Sequence, residues 1–586
     1  MADQRYRLYI AVDFGTAFSG YCFQIKGSKQ NRQVKWGLEF GYDTPKTPTC
    51  ILFDEDGKFL SFGYEAVMMY TRQTARKDAQ RLYYFDNFKM ELYGKELHRD
   101  LMITAKNKKQ MRALKVFSES LKFMKDHALE MVGRHIEGEK YSASDVKWVL
   151  TVPAIWSSAA KQFMREAATE AGLVTESDPE RLIVALEPEA ASVWCKQLPS
   201  DGFLESNLEE AGKIEEVPGT QYMVVDCGGG TIDITVHEVV DGGHLKELHK
   251  VSGNDLGGQK VDKNFSSFLR EIFSDKVFDE FEENHPNELQ RLMFDFSLCK
   301  RFEKNVLVQC PVNLQEIAKR EQDMEDYFSE LSDVLWDSGE ILLTQQKMRS
   351  LHDDSLRGIE RLIRDILREP KLKIRYLFLV GGFALSTHVN SFVRQKFGSQ
   401  CKVLCPADAQ LAVLKGAVEF GMTPSVVESR ISLFTYGVSE TQEFNEFKHR
   451  GKRTYINKDG VKFCDVCFHY LVQKDESVSY DEVREFSFCP IDRDQIAMLF
   501  DFYCTESKCA EFVDEPGMNI IGSIIVSMPD ISRGHNRSVR LEVKFGFTEM
   551  TATATDIDSG ETSSVKLDFI TDKSSVLRKK PFISAN

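Results

Sequence analysis

Two stretches of this 586-residue chain follow the same pattern, and that pattern restricts the possible folds more than any other feature. In residues 222–236 an apolar run ends at Asp226, three glycines follow, and apolar and polar residues then alternate. Residues 8–23 contain an apolar run, Asp13, a glycine–threonine pair and a second apolar run. An apolar run that ends in a carboxylate is typical of a buried strand, and alternation is typical of a half-buried one. Each stretch therefore predicts a β-hairpin with an aspartate at its tip.

The hairpin tips have the chemistry of a phosphate site. Glycines allow a sharp turn, and their unobstructed N–H groups can bind an anion. Asp13 and Asp226 could hold a hydrated cation, which suits Mg²⁺ because this ion keeps several waters. A strand follows each turn, whereas a helix follows the turn in Walker and dinucleotide-binding loops. The glycine triplet alone would favour an ordinary hairpin with a glycine-rich turn. A third glycine turn at 381–382, between an apolar strand and a helix, favours the phosphate interpretation.

Composition excludes several classes of protein. The length predicts about two to four domains. A hydrophobic content of 42% and a charged content of 28% are ordinary for a globular protein. The formal net charge of -15 argues against binding to nucleic acid or an anionic membrane. We see no apolar run long enough to span a membrane and expect no signal peptide. Thirteen scattered cysteines indicate reduced thiols, so we expect a cytoplasmic protein.

The order of patterns along the chain predicts its domains. A β-rich composition begins near residue 432, and the polar, acidic stretch 197–220 is predicted to be a surface insertion. The expected segments are a nucleotide-binding domain (1–425) with small outer subdomains (about 45–140 and 258–345), a linker (426–431), a β-rich substrate- or partner-binding domain (432–573) and a tail (574–586).

The three glycine turns, taken in order, resemble the two phosphate motifs and the adenosine motif of the superfamily of actin, sugar kinases and heat-shock ATPases. Five further stretches resemble the ATPase domain of the seventy-kilodalton heat-shock proteins, and in particular their divergent heat shock 70 kDa protein 12 branch: 11–16, 151–156, 185–191, 378–383 and 414–418. The resemblance implies an α/β fold, with an actin-like two-lobed ATPase domain (a duplicated ribonuclease H-like fold) followed by a smaller β-rich domain.

The resemblance also implies a site for ATP or ADP with Mg²⁺. Asp13 and Asp226 would hold waters of the Mg²⁺ ion. Lys89 would approach the γ-phosphate and the attacking water, and Glu187 and Asp233 would order that water and move its protons. The other residues implied to bind nucleotide are Gly15, Thr16, Ala17, Phe18, Gly228, Gly229, Gly230, Thr231, Ser297, Lys300, Arg301, Gly381 and Gly382.

Departures from the family pattern leave three hypotheses for the function. Ala17 replaces a threonine of the phosphate loop, Ser297 replaces a glutamate of the adenosine site, and we expect neither the usual acidic linker nor a helical lid. The first hypothesis is a chaperone-like protein that hydrolyses ATP slowly and binds a client or signalling protein through the β-rich domain, with a possible nucleotide-exchange or co-chaperone partner. The second is a nucleotide-gated adaptor with little or no hydrolysis. The third is a small-molecule kinase, since fold does not fix function.

A cysteine pattern in the β-rich domain allows one further hypothesis. Cys464 and Cys467 form a Cys-x-x-Cys pair, and with Cys504 and Cys509 they could provide four thiolates for Zn²⁺. The alternative is that they are free thiols, which are common in buried β structure. For the neighbouring His469 the sequence favours an ordinary core or surface residue over a ligand.

Overall fold

The computed structural model describes residues 5–28, 30–72, 80–135, 141–175, 177–204, 217–545 and 550–570. The predicted tail, 574–586, lies outside the described residues, as do residues 205–216 of the predicted insertion. The chain divides into two units. The first comprises residues 1–243 and 251–426, and the second comprises residues 244–250 and 427–586.

The first half of the first unit is built on a mixed sheet. Leu8–Phe14 pairs in antiparallel orientation with Phe18–Ile25, which forms the first predicted hairpin. It pairs on its other side, in parallel, with Val146–Val152. Residues 8–14 are fully buried, as their apolar run predicts. The strands of this sheet, in spatial order, are Leu182–Leu186, Val146–Val152, Leu8–Phe14, Phe18–Ile25 and Arg32–Gln33, and Thr47–Pro48 also pairs with Phe18–Ile25.

The second half repeats this arrangement. Gln221–Cys227 pairs in antiparallel orientation with Ile232–Val239, which forms the second hairpin. It pairs in parallel with Ile374–Val380, and that strand pairs in parallel with Lys402–Leu404. Both halves thus contain an antiparallel hairpin whose first strand continues into parallel neighbours, which is the duplication expected of an actin-like fold. In both, the aspartate lies at the carboxyl end of the hairpin's first strand.

Helices cover these sheets and the outer segments carry additional elements. Pro188 occupies the first turn of its helix, where the missing N–H costs nothing. The helices of the first unit are Tyr64–Thr71, Ala113–His135, Ser158–Glu170, Glu187–Gln197, Gly258–Asn284 (broken at Ser274), Pro286–Cys299, Val312–Ala318, Met324–Phe328, Gln345–Leu367, Thr387–Phe397 and Ala409–Met422. Its remaining strands are Cys50–Phe53, Phe59–Phe62, Tyr83–Asp86, Met102–Thr104, Gln110–Arg112, Val306–Gln309, Val334–Asp337 and Glu340–Leu343.

The second unit is rich in β-structure. One of its sheets contains, in spatial order, Thr454–Ile456, Lys462–Val472, Thr435–Glu443, Ala497–Thr505 and Asn519–Ser527. Another contains Glu482–Phe488, Val539–Phe545, Met550–Asp556 and Thr562–Lys566. Inward-facing side chains of both sheets, such as Phe502 and Leu541, share one apolar core.

The segment predicted to be a linker contains a strand. Residues 427–431 form the strand Val427–Ile431, whose Ser429 pairs with Lys246 of the strand Leu245–Asn254 and with Ser479 of the strand Ser477–Ser479. The alternation of apolar and polar residues in this segment is that of a strand. Its partners are distant in sequence, so the pairing could not be recognised from the segment alone.

Within the described part of the chain, we find no helix with both the length and the apolar character needed to cross a membrane.

Candidate functional site

The three glycine turns of the first unit line one cavity of about 240 Å³. The tip of the first hairpin, the tip of the second hairpin and the turn after Ile374–Val380 all contribute to its wall. The predicted site residues that line it are Asp13, Gly15, Thr16, Ala17, Phe18, Lys89, Glu187, Asp226, Gly228, Gly229, Gly230, Thr231, Ser297, Lys300, Arg301, Gly381 and Gly382.

The hairpin tips approach each other so closely that glycine is required. A Cβ atom on Gly229 would lie 2.8 Å from the Cβ of Ala17, and one on Gly230 would lie 2.6 Å from the Oγ1 of Thr16. Both distances are shorter than any ordinary contact of a Cβ atom. The missing side chains also leave backbone N–H groups accessible from the cavity.

Asp13 and Asp226 face the cavity from the two hairpins. The Thr151 hydroxyl donates a hydrogen bond of 3.2 Å to Oδ1 of Asp13, and Lys46 Nζ lies 2.5 Å from its Oδ2. Burial raises the pKa of Asp226 well above its usual range, and the nearby carboxylate of Glu187 raises it further. A cation between the hairpins would reverse this effect by stabilising the ionised form.

Lys89 and Glu187 form a buried ion pair in the cavity. Their Nζ and Oε1 atoms are 2.8 Å apart, and 1% of the Lys89 side chain and 11% of the Glu187 side chain are exposed. The Lys89 ammonium also lies 5.1 Å from the centre of the Trp156 ring. Burial raises the pKa of Glu187 to about 7, although Lys89 opposes the shift. A carboxyl group with this pKa can accept and release a proton near neutral pH.

Two hydrogen bonds hold the carboxylate of Asp233. It lies opposite Asp226 in the second hairpin, but it is not among the described residues that line the cavity. Its Oδ2 accepts a hydrogen bond of 2.6 Å from the Thr231 hydroxyl, and its Oδ1 accepts one of 2.9 Å from the Ile155 N–H. These contacts position Thr231, which lines the cavity, and the role of Asp233 in ordering the attacking water stays a prediction.

The predicted adenosine side of the cavity is lined by one helix end and the third turn. Lys300 Nζ donates hydrogen bonds of 2.6 Å to Asp262 and 2.7 Å to the Gly258 carbonyl. The Ser297 hydroxyl donates to the Phe294 carbonyl at 2.7 Å, within its own helix. With its proton engaged in this way, the Ser297 hydroxyl can accept a hydrogen bond from a ribose but not donate one. Arg301 lines the same part of the wall.

Known proteins resemble this chain in sequence. A family model described as Hsp70 protein matches residues 72–419. Heat shock 70 kDa protein 12A of Homo sapiens is 33% identical over 627 residues, which cover 97% of this chain and 92% of that protein. The chain belongs to the Hsp70 family. Heat shock 70 kDa protein 12B of Homo sapiens is 33% identical over 629 residues, covering 96% of this chain and 91% of its own length. Chaperone protein DnaK of Thermosipho melanesiensis is 28% identical over 269 residues, covering 45% of this chain and 39% of its own length.

These similarities place the chain in the divergent heat shock 70 kDa protein 12 branch of the Hsp70 family, because those relatives match over nearly the full length. The predicted family and fold class are thereby confirmed: the first unit is the actin-like two-lobed domain of Hsp70 proteins. Family membership also supports ATP binding.

Lys46 lies in the cavity of this Hsp70 domain beside Asp13 and was not predicted to do so. Tyr64 and Gln410 also line the cavity and were not predicted to do so. The only sequence signal for Lys46 was its place between two prolines, in a segment that follows no glycine turn. Its contact with Asp13 depends on how that segment folds against the first hairpin.

The four cysteines of the zinc hypothesis do not come together. Cys504 packs into the core shared by the two large sheets, because its strand directs it inward, and Cys509 is exposed on a loop. Cys464 and Cys467 lie near a third residue, His449, with ligand atoms within 4.8 Å of one another. A shift in strand register between Glu440 and Gln442 brings both thiols to one face.

His449 accounts for this cluster without an ion. Its Nδ1 accepts a hydrogen bond of 3.0 Å from the Asn445 N–H, which places the proton of the neutral ring on Nε2. Nε2 lies 3.7 Å from the sulfur of Cys467, the distance of an N–H···S contact. His469, by contrast, lies 3.5 Å from Glu440, outside the cluster.

Proposed function

We propose that this Hsp70-family chain binds ATP and ADP with Mg²⁺ in the first unit, hydrolyses ATP slowly, and couples the nucleotide state to partner binding. One observation carries the proposal. Two Asp-Gly hairpins and a third glycine turn line the same cavity, which also contains a buried Lys–Glu pair. This combination provides phosphate-binding N–H groups, cation-binding carboxylates and a proton acceptor.

The residues fit the proposed magnesium ion. Asp13 and Asp226 offer hard oxygen ligands from opposite hairpins, and the bare N–H groups of the turns would bind phosphate oxygens. Carboxylates that hold waters suit an ion that dehydrates reluctantly. When bound, Mg²⁺ neutralises charge on the phosphoryl group being transferred.

Lys89 and Glu187 would support cleavage. Glu187, with its pKa raised to about 7 by burial, would accept the proton of the attacking water. Lys89 would contribute positive charge to the outer phosphates while remaining 2.8 Å from Glu187. Asp233 would act indirectly, because its hydrogen bond with the Thr231 hydroxyl fixes that hydroxyl at the cavity wall.

The adaptor hypothesis has specific support from two residues. Ala17 provides no hydroxyl at the phosphate loop, and the Ser297 hydroxyl is already bonded to its own helix. Either feature would reduce catalysis or ribose recognition without abolishing phosphate binding. The kinase hypothesis is weaker, since Asp233, its candidate base, already accepts hydrogen bonds from Thr231 and Ile155 and is not among the described residues that line the cavity. If a sugar or glycerol accelerated ATP consumption, that result would favour the kinase hypothesis.

The second unit would hold the partner. Its β-rich architecture suits a protein client or signalling partner, and a nucleotide-exchange or co-chaperone partner could act on the first unit. We further propose that the protein acts in the cytoplasm, in accord with its thirteen free cysteines.

Single-turnover cleavage of ATP pre-bound with Mg²⁺ to the full chain tests the proposal. Asp226→Asn should slow cleavage about tenfold or more, equivalent to about 1.4 kcal/mol, because charge on the transferred phosphoryl group is then less well neutralised. Asp43→Asn is a matched control, because Asp43 is a surface residue paired with Lys35. A slower cleavage rate in both variants, or in neither, would remove the assignment of the site.

A further inference from the structure

Lys46 makes a contact that the proposed function does not explain. Its Nζ lies 2.5 Å from Oδ2 of Asp13, and only 13% of the Lys46 side chain and 7% of the Asp13 side chain are exposed. The ammonium group lines the same cavity as the two phosphate hairpins. A lysine therefore occupies one oxygen of a carboxylate that is expected to serve a divalent cation.

The fold holds this lysine in place. Gly20 pairs with Asp13 across the first hairpin, and a Cβ on Gly20 would lie only 3.0 Å from the Cγ of Lys46. The Thr44 hydroxyl donates a hydrogen bond of 2.9 Å to the Lys46 carbonyl. At the residue after Lys46, the Thr47 hydroxyl accepts a hydrogen bond of 3.0 Å from the Tyr64 N–H. Lys46 thus lies on an anchored segment, and the absence of a side chain at residue 20 gives it a path to Asp13.

The local charges explain what this arrangement can do. Both Asp13 oxygens are engaged, Oδ1 by Thr151 and Oδ2 by Lys46, so a hydrated cation would have to displace the ammonium group to bind Oδ2. Lys89 is separately paired with Glu187, so Lys46 is the lysine positioned to neutralise Asp13.

We propose that Lys46 is a built-in counter-ion of the Mg²⁺ site. In the nucleotide-free protein it neutralises Asp13, and when nucleotide enters it turns to the outer phosphates. Nucleotide then binds with little dependence on Mg²⁺, because one of the positive charges that the ion normally supplies is already part of the chain. Mg²⁺, in turn, competes with Lys46 for Asp13. This inference rests on the proposed function and specifies how nucleotide binding at that site depends on Mg²⁺.

The test is calorimetric titration of the full chain with ATP, in Mg²⁺ and again in EDTA. For the unaltered chain we expect removal of Mg²⁺ to weaken binding by less than about threefold. Lys46→Met keeps the aliphatic length and removes the charge. In that variant, removal of Mg²⁺ should weaken binding by about tenfold or more, while affinity in Mg²⁺ stays equal or improves.

Two further variants test whether the charge of Lys46 reduces the dependence of ATP binding on Mg²⁺. Lys35→Met removes a lysine from a surface ion pair with Asp43 and should leave the effect of EDTA unchanged. Gly20→Ala keeps the charge but obstructs the path of the Lys46 side chain, so it should increase the dependence on Mg²⁺ as Lys46→Met does. It also provides a second test if Lys46→Met fails to fold.

The outcomes separate this inference from the proposed function. If no variant and no condition shows ATP binding, the proposed function is wrong and this inference is wrong with it. If ATP binds but EDTA has the same effect on the unaltered chain, on Lys46→Met and on Gly20→Ala, only the inference about Lys46 is overturned. If affinity in EDTA and in Mg²⁺ falls equally in Lys46→Met, the lysine is an ordinary phosphate contact, and the inference is again overturned.

Discussion

Gly381→Ala should destabilise the first unit strongly, whereas the same change at the next residue should not. Gly381 has φ +90°, a left-handed conformation that costs an L-residue about 1–2 kcal/mol. Its added Cβ would lie 2.4 Å from Oδ1 of Asp226 and 2.4 Å from the Cys227 carbonyl oxygen. Forcing a methyl group into such space costs about a further 1–3 kcal/mol. We therefore expect a loss of about 2–5 kcal/mol of unfolding free energy.

Gly382→Ala is the matched control for this change. Gly382 has helical angles, φ −67° and ψ −32°, and its Cβ would meet no atom within 4 Å. The substitution should change the unfolding free energy by no more than about 0.5 kcal/mol. Urea unfolding followed by tryptophan fluorescence is the assay, because all five tryptophans lie in the first unit. Equal stability of the two variants would refute the close packing of the third turn against Asp226.

Three further predictions concern single side chains. Glu187→Gln should spare ATP binding and slow cleavage about 100-fold or more. In the unaltered chain the single-turnover rate should rise with pH up to about 7, because only the ionised carboxylate of Glu187 accepts a proton. A cleavage rate that changes neither with pH nor with this substitution would contradict the role of Glu187. Lys89→Ala should also slow cleavage more than it weakens binding, measured by the same assay beside a titration with ATP, and equal losses would make Lys89 a binding residue. Arg537→Met should destabilise the second unit by about 3 kcal/mol or more, since the buried guanidinium donates to the carbonyls of Gly534, Gln495 and Arg493. Circular dichroism during urea unfolding checks this prediction. Arg540 is half-exposed, so Arg540→Met is a control that should change the unfolding free energy little.

The sequence was sufficient where function depends on short, contiguous patterns. The Asp-Gly hairpins at Asp13 and Asp226 could be predicted because strand, carboxylate and glycine turn are neighbours in sequence. Their convergence on one cavity was implied by family resemblance, since no local pattern specifies it. Gly230 illustrates the limit: an added Cβ atom would meet Met90 and Thr16, and both residues are far away in the chain.

What could not be predicted depends on partners that are distant in sequence. Lys46 was missed because its position beside Asp13 depends on the space left by Gly20. The role of Asp233 was implied by the family resemblance, and its hydrogen bond from the Ile155 N–H joins two residues that are far apart in the chain. The strand within the predicted linker was not foreseen because its partners come from residues 245–246 and 477–479.

The central claim is that the first unit binds ATP and cleaves it. Single-turnover hydrolysis of ATP pre-bound to the full chain, with bound nucleotide quantified beforehand, tests it most directly. The account predicts that ATP is bound and is then converted to ADP and phosphate. Bound ATP that persists would contradict the proposed hydrolysis and favour the adaptor hypothesis, and a chain that binds no ATP would contradict the assignment of the cavity itself.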